Sequence, residues 1–581
     1  MANNLESMPM PEENSKESAD KILPANPKLR YLDRVFDILR SPEKDVLGGE
    51  TNWRGLSEKV KPFKTGLEFT DNIREAVMEF VSQKIPRLKE GIPSFKNLKD
   101  KDVLEAISHN WFETVGEEVG GKRKEVLLAT AAHVVRRIEN NIYKKLLRQM
   151  QPADLEKLGL DASTRDLLVE VLDASIKADP MYIRFMAYSQ LSPEPPEEAG
   201  NVTFSLPKRK TQYTAASLFP HEAQFLAGRF AKIAENHEKW SNKSGGEIFK
   251  KYLEALSAFY AERNPDKAPK LQENVLDIYK DLLNSDFPIF ITPTTEGYYK
   301  EPYFDPELKV SVVTPDARKE EASWLRAQEA MSSSLQALDA DKFSENMKSQ
   351  PVRSMLVFGG FGSNIIFNAV AQEKPAILIF LNEQMRAYDR EFSNFVFGRI
   401  KNAPEIFGEP LSAEKRLLLE KISRTDTVLH ELAHSIHPDD SPEAKRLGRK
   451  PLTILDEVKA EICYRPLVPE IIEKNGLDGK KEEWAVGMLA SSLFVAEGNP
   501  KGDPYYYAAA YCLNNLFERG AVELEGKKLI IKNFDLYYAA QKEAAEALLA
   551  VYRDPSMTQA KAAKWIKRVC EPNKKVQAAL L

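Results

Sequence analysis

The segment TDTVLHELAHSIHPDD, residues 425–440, puts His430, His434 and His437 within eight positions of a chain that has only seven histidines. His430 and His434 are four apart. On a helix, that spacing stacks both imidazoles on one face, one turn apart, where a single metal ion can take both. Glu431 follows His430 and completes H-E-x-x-H, a pattern in which the glutamate serves as general base toward a water activated by the metal. The bland alternative is a partly exposed helix that happens to carry histidines.

A catalytic zinc needs three protein ligands and one open position. The subclass with the extended pattern H-E-x-x-H-x-x-G-x-x-H is excluded, because His437 stands where that pattern has glycine and no histidine follows it. The other common third ligand is a glutamate from a following helix. PLTILDEVKAEICY, residues 451–464, supplies Glu457, 23 residues beyond His434. Leu455, Val458 and Ile462 recur at helical spacing, so the segment reads as an amphipathic helix packed on a core. Such a helix ordinarily sends Asp456, Glu457 and Glu461 to solvent. The sharper expectation is that Glu457 ligates and that Glu461, one turn on, accepts a hydrogen bond from a ligand imidazole. Asp456 is the neighbouring alternative to Glu457. Two histidines and one carboxylate suit one Zn2+ per chain. His437 precedes the helix-ending Pro438 and is expected to be structural or to face substrate.

The elements that must carry these residues are mostly helical. Residues 1–25 read as a disordered tail, 26–190 as a helical N-terminal region and 191–212 as a Pro/Glu-rich loop. Residues 213–400 read as a mixed α/β lobe, and 401–581 as a helical zinc-binding region. TDNIREAVMEFVSQKI and RKEVLLATAAHVVRRIENNIYKKLLRQM have helical periodicity, with Leu127, Ala131, Val134 and Ile138 in register in the second. FPIFIT, LKVSVVT, SMLVFGG and AILIFL are short β-rich runs bounded by Pro, Gly or Asp and read as strands. LEGKKLIIK reads as a hairpin with Glu525-Gly526 at its turn. The fold class is therefore α+β and mainly helical. FGGFGSN lacks both the G-K-[ST] of a P-loop and G-x-G-x-x-G spacing, and reads as an inter-strand loop. The run Tyr505–Tyr507 reads as core or cleft wall.

Composition narrows the classes further. The chain has 581 residues, 43% of them hydrophobic and 29% charged, with a net charge of −5. That is a globular composition without the basic field of a nucleic-acid binder. No apolar run reaches the ~20 residues of a membrane helix, and MANNLESMPMPEENSKESADK lacks the pattern of a signal peptide. Three cysteines, far apart and in no metal-type pair, fit a reducing compartment. The expectation is a cytoplasmic monomer or homodimer that binds neither nucleic acid nor membrane.

These motifs resemble the dipeptidyl-peptidase III family, most closely its branch with the five-residue H-E-x-x-H, which includes the peptidase part of plant Nudix-fused proteins. No Nudix box is present here. The resemblance spans roughly residues 245–555. DEVKAE, residues 456–461, is similar to the family's second metal-helix motif and implies Glu457 as the third zinc ligand. TEGYYKEPYF, residues 295–304, resembles a family segment in which Glu296 would bind the substrate's N-terminal ammonium. Tyr298, or Tyr299 by a one-residue slip, would polarise the scissile carbonyl. IIFNAVAQEK, residues 365–374, resembles the family's peptide-anchoring loop through Phe367 and Asn368, without its proline and second asparagine. NNLFERGAVEL, residues 514–524, resembles a segment preceded in the family by a transition-state histidine. Here Tyr505 stands near that place. The resemblance implies a two-lobed zinc peptidase with a cleft, a helical metal-binding lobe and a second lobe with a β-barrel-like core. It also implies release of dipeptides from the N-terminus of short peptides. The missing histidine leaves a second expectation, a catalytically weak or inactive relative that binds peptides or another small ligand in that cleft.

Overall fold

The computed structural model describes residues 52–91, 96–109, 122–189, 204–205, 212–292, 308–338, 351–360, 368–370, 377–381, 383–437 and 441–581. Helices dominate. The longer ones are α1 (Gly66–Ser82), α2 (Lys122–Gln149), α3 (Ala162–Ser189), α4 (Pro220–Glu235), α5 (Gly246–Ala261), α6 (Ala268–Leu283), α7 (Pro315–Leu338), α8 (Glu383–Arg399), α9 (Ala413–Ala433), α10 (Arg449–Ile462), α11 (Lys481–Gly498), α12 (Pro504–Glu518) and α13 (Phe534–Arg553). Among the described residues none is long and apolar enough to cross a membrane.

The four expected strand runs each form a strand of one mixed sheet: β1 (Ile289–Thr292), β2 (Lys309–Val312), β3 (Val352–Gly359) and β5 (Ile377–Leu381), joined by the three-residue β4 (Asn368–Val370). The order is β1-β2-β3-β5-β4. β3 and β5 run parallel with Val352 opposite Ile377, and the other neighbours pair antiparallel. β2 is buried at every position, so the sheet is covered on both faces. α2 and α3 pack against β3, as does α7. The expected barrel-like core does not appear in these strands: β1 and β4 are edges, and among the described residues nothing joins them.

Part of the expected Pro/Glu-rich loop forms a short ladder, Phe204–Ser205 with Gln212–Tyr213. The late hairpin pairs β6 (Val522–Glu525) with β7 (Lys528–Ile531). Its turn centres on Gly526 and Lys527, one residue beyond the expected place, because Glu525 still pairs with Lys528. Gly526 takes the positive φ of 65° that this tight reversal requires. All three cysteines are free and buried.

α7 is the strut between the sheet and the histidine helix. On its sheet side, Glu321 accepts from Arg353 Nη1 at 3.0 Å and from the Ser354 amide at 2.9 Å. Toward α9, Glu320 accepts from Arg424 at 2.5 Å while its other oxygen takes Ser354 Oγ at 3.3 Å, and Trp324 Nε1 donates to Thr425 Oγ1 at 3.2 Å. Arg424 also donates to Asp389 of α8 at 2.7 Å. These ion pairs are largely shielded from solvent, so they fix geometry more than they add stability.

Candidate metal centre

α9 begins where Ser412 Oγ caps the Lys415 amide at 3.2 Å. It buries Leu419, Ile422, Leu429 and Leu432, so His430 emerges from a face already fixed by the core. The helix stops at Ala433, His434 is its C-cap, and His437 takes a left-handed φ of 48°. His437 is buried and its ring stacks on Tyr552 with centroids 5.1 Å apart. It therefore packs at the helix end, on the structural side of the two expectations.

α10 starts after Gly448, whose φ of 77° turns the chain into the helix and whose place a side chain would contest with Gln559. Leu455, Val458 and Ile462 are fully buried as the spacing requires. α10 packs on α9 and against α12, where Ala508, Ala509 and Ala510 are all buried and their small side chains allow close approach. Asp503 caps α12 by accepting from the Tyr505 amide at 2.9 Å. This brings the Tyr505 ring 6.3 Å from that of His430, although Tyr505 remains 45% exposed.

The two helices bring His430, His434 and Glu457 together, with one potential ligand atom from each within 4.8 Å of the others. Glu457 Oε2 lies 3.1 Å from His430 Nε2 and 3.8 Å from His434 Nε2. The other ring nitrogens are held from behind. His430 Nδ1 meets Glu461 Oε2 at 3.0 Å, and His434 Nδ1 meets Asp456 Oδ2 at 2.6 Å. Each imidazole thus has a carboxylate at Nδ1 and turns Nε2 toward the same oxygen. The group could hold a metal ion: two nitrogens and one carboxylate oxygen converge, with an outer carboxylate at each Nδ1.

Cations balance the outer carboxylates. Lys459, wholly buried, pairs with Asp456 Oδ1 at 2.5 Å and donates to the carbonyls of His434 at 3.0 Å and His437 at 3.2 Å. Arg465, also wholly buried, donates to Glu461 and, at 2.6 Å, to Ser492 Oγ. Beneath them Tyr464 donates to Asp426 at 2.5 Å. Burial pushes both imidazoles toward neutrality. Yet Glu457 and Glu461 hold the His430 pKa well above its usual value, and Asp456 with Glu457 raises that of His434. Burial would raise the Glu461 carboxyl, but Arg465 and His430 bring it down to about 2. The carboxylates thus favour positive charge at the two rings, the place a divalent cation would take. Glu431 is half-buried, next to His430 on α9.

Sequence reasoning weighed Asp456 only as a rival ligand and did not find its place at His434 Nδ1, nor the buried lysine and arginine behind the site. The signal was present in DEVKAEICYR: Asp456 and Lys459 are three apart, and Glu461 and Arg465 four apart. Asn368 opens strand β4, where the sequence suggested a loop, and β4 and β5 pack against α9. Glu296, Tyr298, Tyr299 and Phe367 lie outside the described residues.

No family model matches the chain, and no curated protein does. Among solved structures the chain is similar to DPP III from Caldithrix abyssi, with 15% identity over 76% of this chain and 87% of that one, at a TM-score of 0.49. It is also similar to dipeptidyl-peptidase III from Corallococcus sp. strain EGB, with 14% identity over 76% and 90% of the two chains, at a TM-score of 0.48. Both are likenesses of backbone course and do not say which side chains act here.

Proposed function

We propose that this chain is a zinc-dependent peptidase that releases dipeptides from the N-terminus of short peptides. One observation carries the proposal: His430 Nε2 and His434 Nε2 face one oxygen of Glu457 while a further carboxylate holds each Nδ1. His430, His434 and Glu457 would hold zinc, which would act as a Lewis acid and lower the pKa of a water to about 7. Glu431 accepts the proton of the attacking water on its carboxylate and passes it to the leaving amine. Such transfer contributes about 10²–10⁴-fold to rate. Asp456 and Glu461 each engage an Nδ1, which leaves Nε2 of both rings as the nitrogen that would give up its proton to bind zinc.

Tyr298 is assigned the carbonyl oxygen, with its hydroxyl donating to the developing oxyanion. Glu296 and Asn368 are assigned the substrate's free N-terminus, and Tyr505 the substrate side of His430. Among the described residues no strand pairs with the outer side of β4, and this edge is assigned to an extended peptide. A cleft between two lobes, with zinc on the helical one, is the architecture that goes with this assignment.

The second reading is a peptide-binding relative with little turnover, and it rests on one fact: no histidine follows His437 in the chain. Mass spectrometry of an unmodified octapeptide incubated with zinc-loaded protein separates the two. Stepwise loss of N-terminal dipeptides, blocked by acetylating the N-terminus, supports the exopeptidase. An intact peptide refutes it and leaves the binder. In the same assay Glu431→Ala should abolish turnover with zinc still bound. Loss of zinc in that variant, or unchanged turnover, would remove Glu431 from its role.

A further inference from the structure

The two imidazoles are braced in different ways. Behind His434, Asp456 pairs with Lys459, and Lys459 returns to the carbonyls of His434 and His437. That brace closes on the end of α9 itself. Behind His430 the brace leads away from both metal helices. Glu461 divides its two oxygens: Oε2 meets His430 Nδ1 at 3.0 Å, and Oε1 accepts from Arg465 Nη2. Arg465 gives its other arm, Nη1, to Ser492 Oγ at 2.6 Å. That hydroxyl in turn donates to the Met488 carbonyl at 3.2 Å. The row thus starts on the backbone of α11 and ends on the His430 ring.

Arg465 suits this place by position and by shape. It opens a short 3-10 turn just past α10, four residues beyond Glu461, which is the reach of one helical turn. It is wholly buried, with its guanidinium 5.9 Å from the centre of the Tyr464 ring. Asp426 is the other buried carboxylate that attracts it, but Asp426 takes the Tyr464 hydroxyl at 2.5 Å. A guanidinium presents its two arms in one fixed plane, so seating one arm on Ser492 sets where the other points. A glutamate carboxylate turns easily about its last torsion. Held at both oxygens, it offers Nδ1 one oxygen in one direction.

We infer that Arg465 is a positioning residue for the metal site: by tying Glu461 Oε1 to Ser492 and the backbone of α11, it fixes the direction in which His430 Nε2 points. The inference rests on the reading of His430, His434 and Glu457 as a zinc site. It gives Arg465 no contact with metal or substrate. His430 is then referred to α11, and His434 to its own helix.

The test is zinc affinity of the full chain, read by competition with a chromophoric chelator. Arg465→Lys keeps the charge and loses the fork, and should weaken zinc about tenfold, the lower end for an outer partner of a ligand. Ser492→Ala leaves the Arg465–Glu461 pair in place and should weaken zinc by less. Glu461→Gln should weaken zinc about 10–100-fold. Adding Arg465→Lys to it should change little further, because a glutamine has one oxygen and cannot serve both partners. Cobalt-loaded protein supplies a second readout: its visible absorption bands should shift in Arg465→Lys, since a turned imidazole changes the ligand field. A loss of stability alone would move neither the bands nor the affinity. Zinc affinity of Arg465→Lys within about twofold of a zinc-binding parent would overturn the inference and leave the metal site standing. So would a loss that persists undiminished in the Glu461→Gln background, because Arg465 would then act by another route. If Arg465→Lys does not fold, parental zinc affinity in Ser492→Ala overturns the inference. A parent that binds no zinc would overturn the metal-site reading and this inference with it.

Discussion

Replacing Asp456 by Asn tests whether the second carboxylate behind each histidine sets the metal site. Asn keeps the size of the side chain and can still accept from His434 Nδ1, which lies 2.6 Å from Asp456 Oδ2. What disappears is the charge. Losing such an outer carboxylate weakens a metal site by about 10–100-fold, or about 1.4–2.8 kcal/mol. A second loss is separable. Lys459 is wholly buried and pairs with Asp456 Oδ1 at 2.5 Å. Breaking a buried pair costs about 3–5 kcal/mol. The two carbonyls that remain on Lys459 place this case near the lower end, about 3 kcal/mol. The metal-free variant should therefore unfold at lower denaturant than the parent, before zinc matters at all.

Zinc at about 100 times the parent's Kd stabilises the parent by about 2.7 kcal/mol, and the variant by only about 0.4–1.4 kcal/mol. Competition with a chromophoric chelator at neutral pH reads the zinc affinity, and denaturant unfolding with and without chelator reads the two stability losses. Adding Lys459→Met should restore part of the metal-free stability and none of the zinc affinity, because it removes the stranded ammonium but also the donor to the His434 and His437 carbonyls. Zinc affinity within twofold of the parent's would refute the reasoning: Asp456 would then serve the lysine alone.

Tyr505→Phe should lower kcat by about tenfold or more with KM little changed, the signature of one lost transition-state donor, whereas equal kcat removes Tyr505 from the reaction. Leu455→Ala, at a fully buried position on α10, should cost about 2–5 kcal/mol and weaken zinc with it, since the same helix carries Glu457; wild-type unfolding would show that α10 is not seated as described. Burial holds the His133 pKa below its usual value, so the unfolded chain takes up a proton that the fold refuses, and stability present above pH ~6.5 declines as pH falls below that. His133→Gln should flatten that decline in urea titrations between neutral and mildly acid pH, and an unchanged slope would mean that other groups carry it.

Local pattern and long-range burial divide what the sequence makes legible. His430 and His434 could be read because helix geometry alone stacks positions four apart, and Leu455, Val458 and Ile462 because an apolar stripe must find a core. The four apolar strand runs were equally local. β4 was not, since Asn-Ala-Val has no run to recognise and becomes a strand only because β5 offers an unpaired edge. Nor could the order β1-β2-β3-β5-β4 be read, since it is fixed by which helices cover which strands.

Asp456 is the instructive case. On an amphipathic helix its polarity points to solvent, and that rule fails here because α9 lays His434 and the ends of its own last turn over the same face. Once Lys459 is buried by that packing it needs a carboxylate, and Asp456 is the one three residues away. The same carboxylate then reaches His434 Nδ1 with its other oxygen. One residue so answers two demands created by tertiary contact, and neither demand is written in the spacing of α10 alone. The acidic positions of DEVKAE are therefore better read as a set, with inner and outer carboxylates on the face turned to the histidines, than as a choice of one ligand among solvent-exposed neighbours.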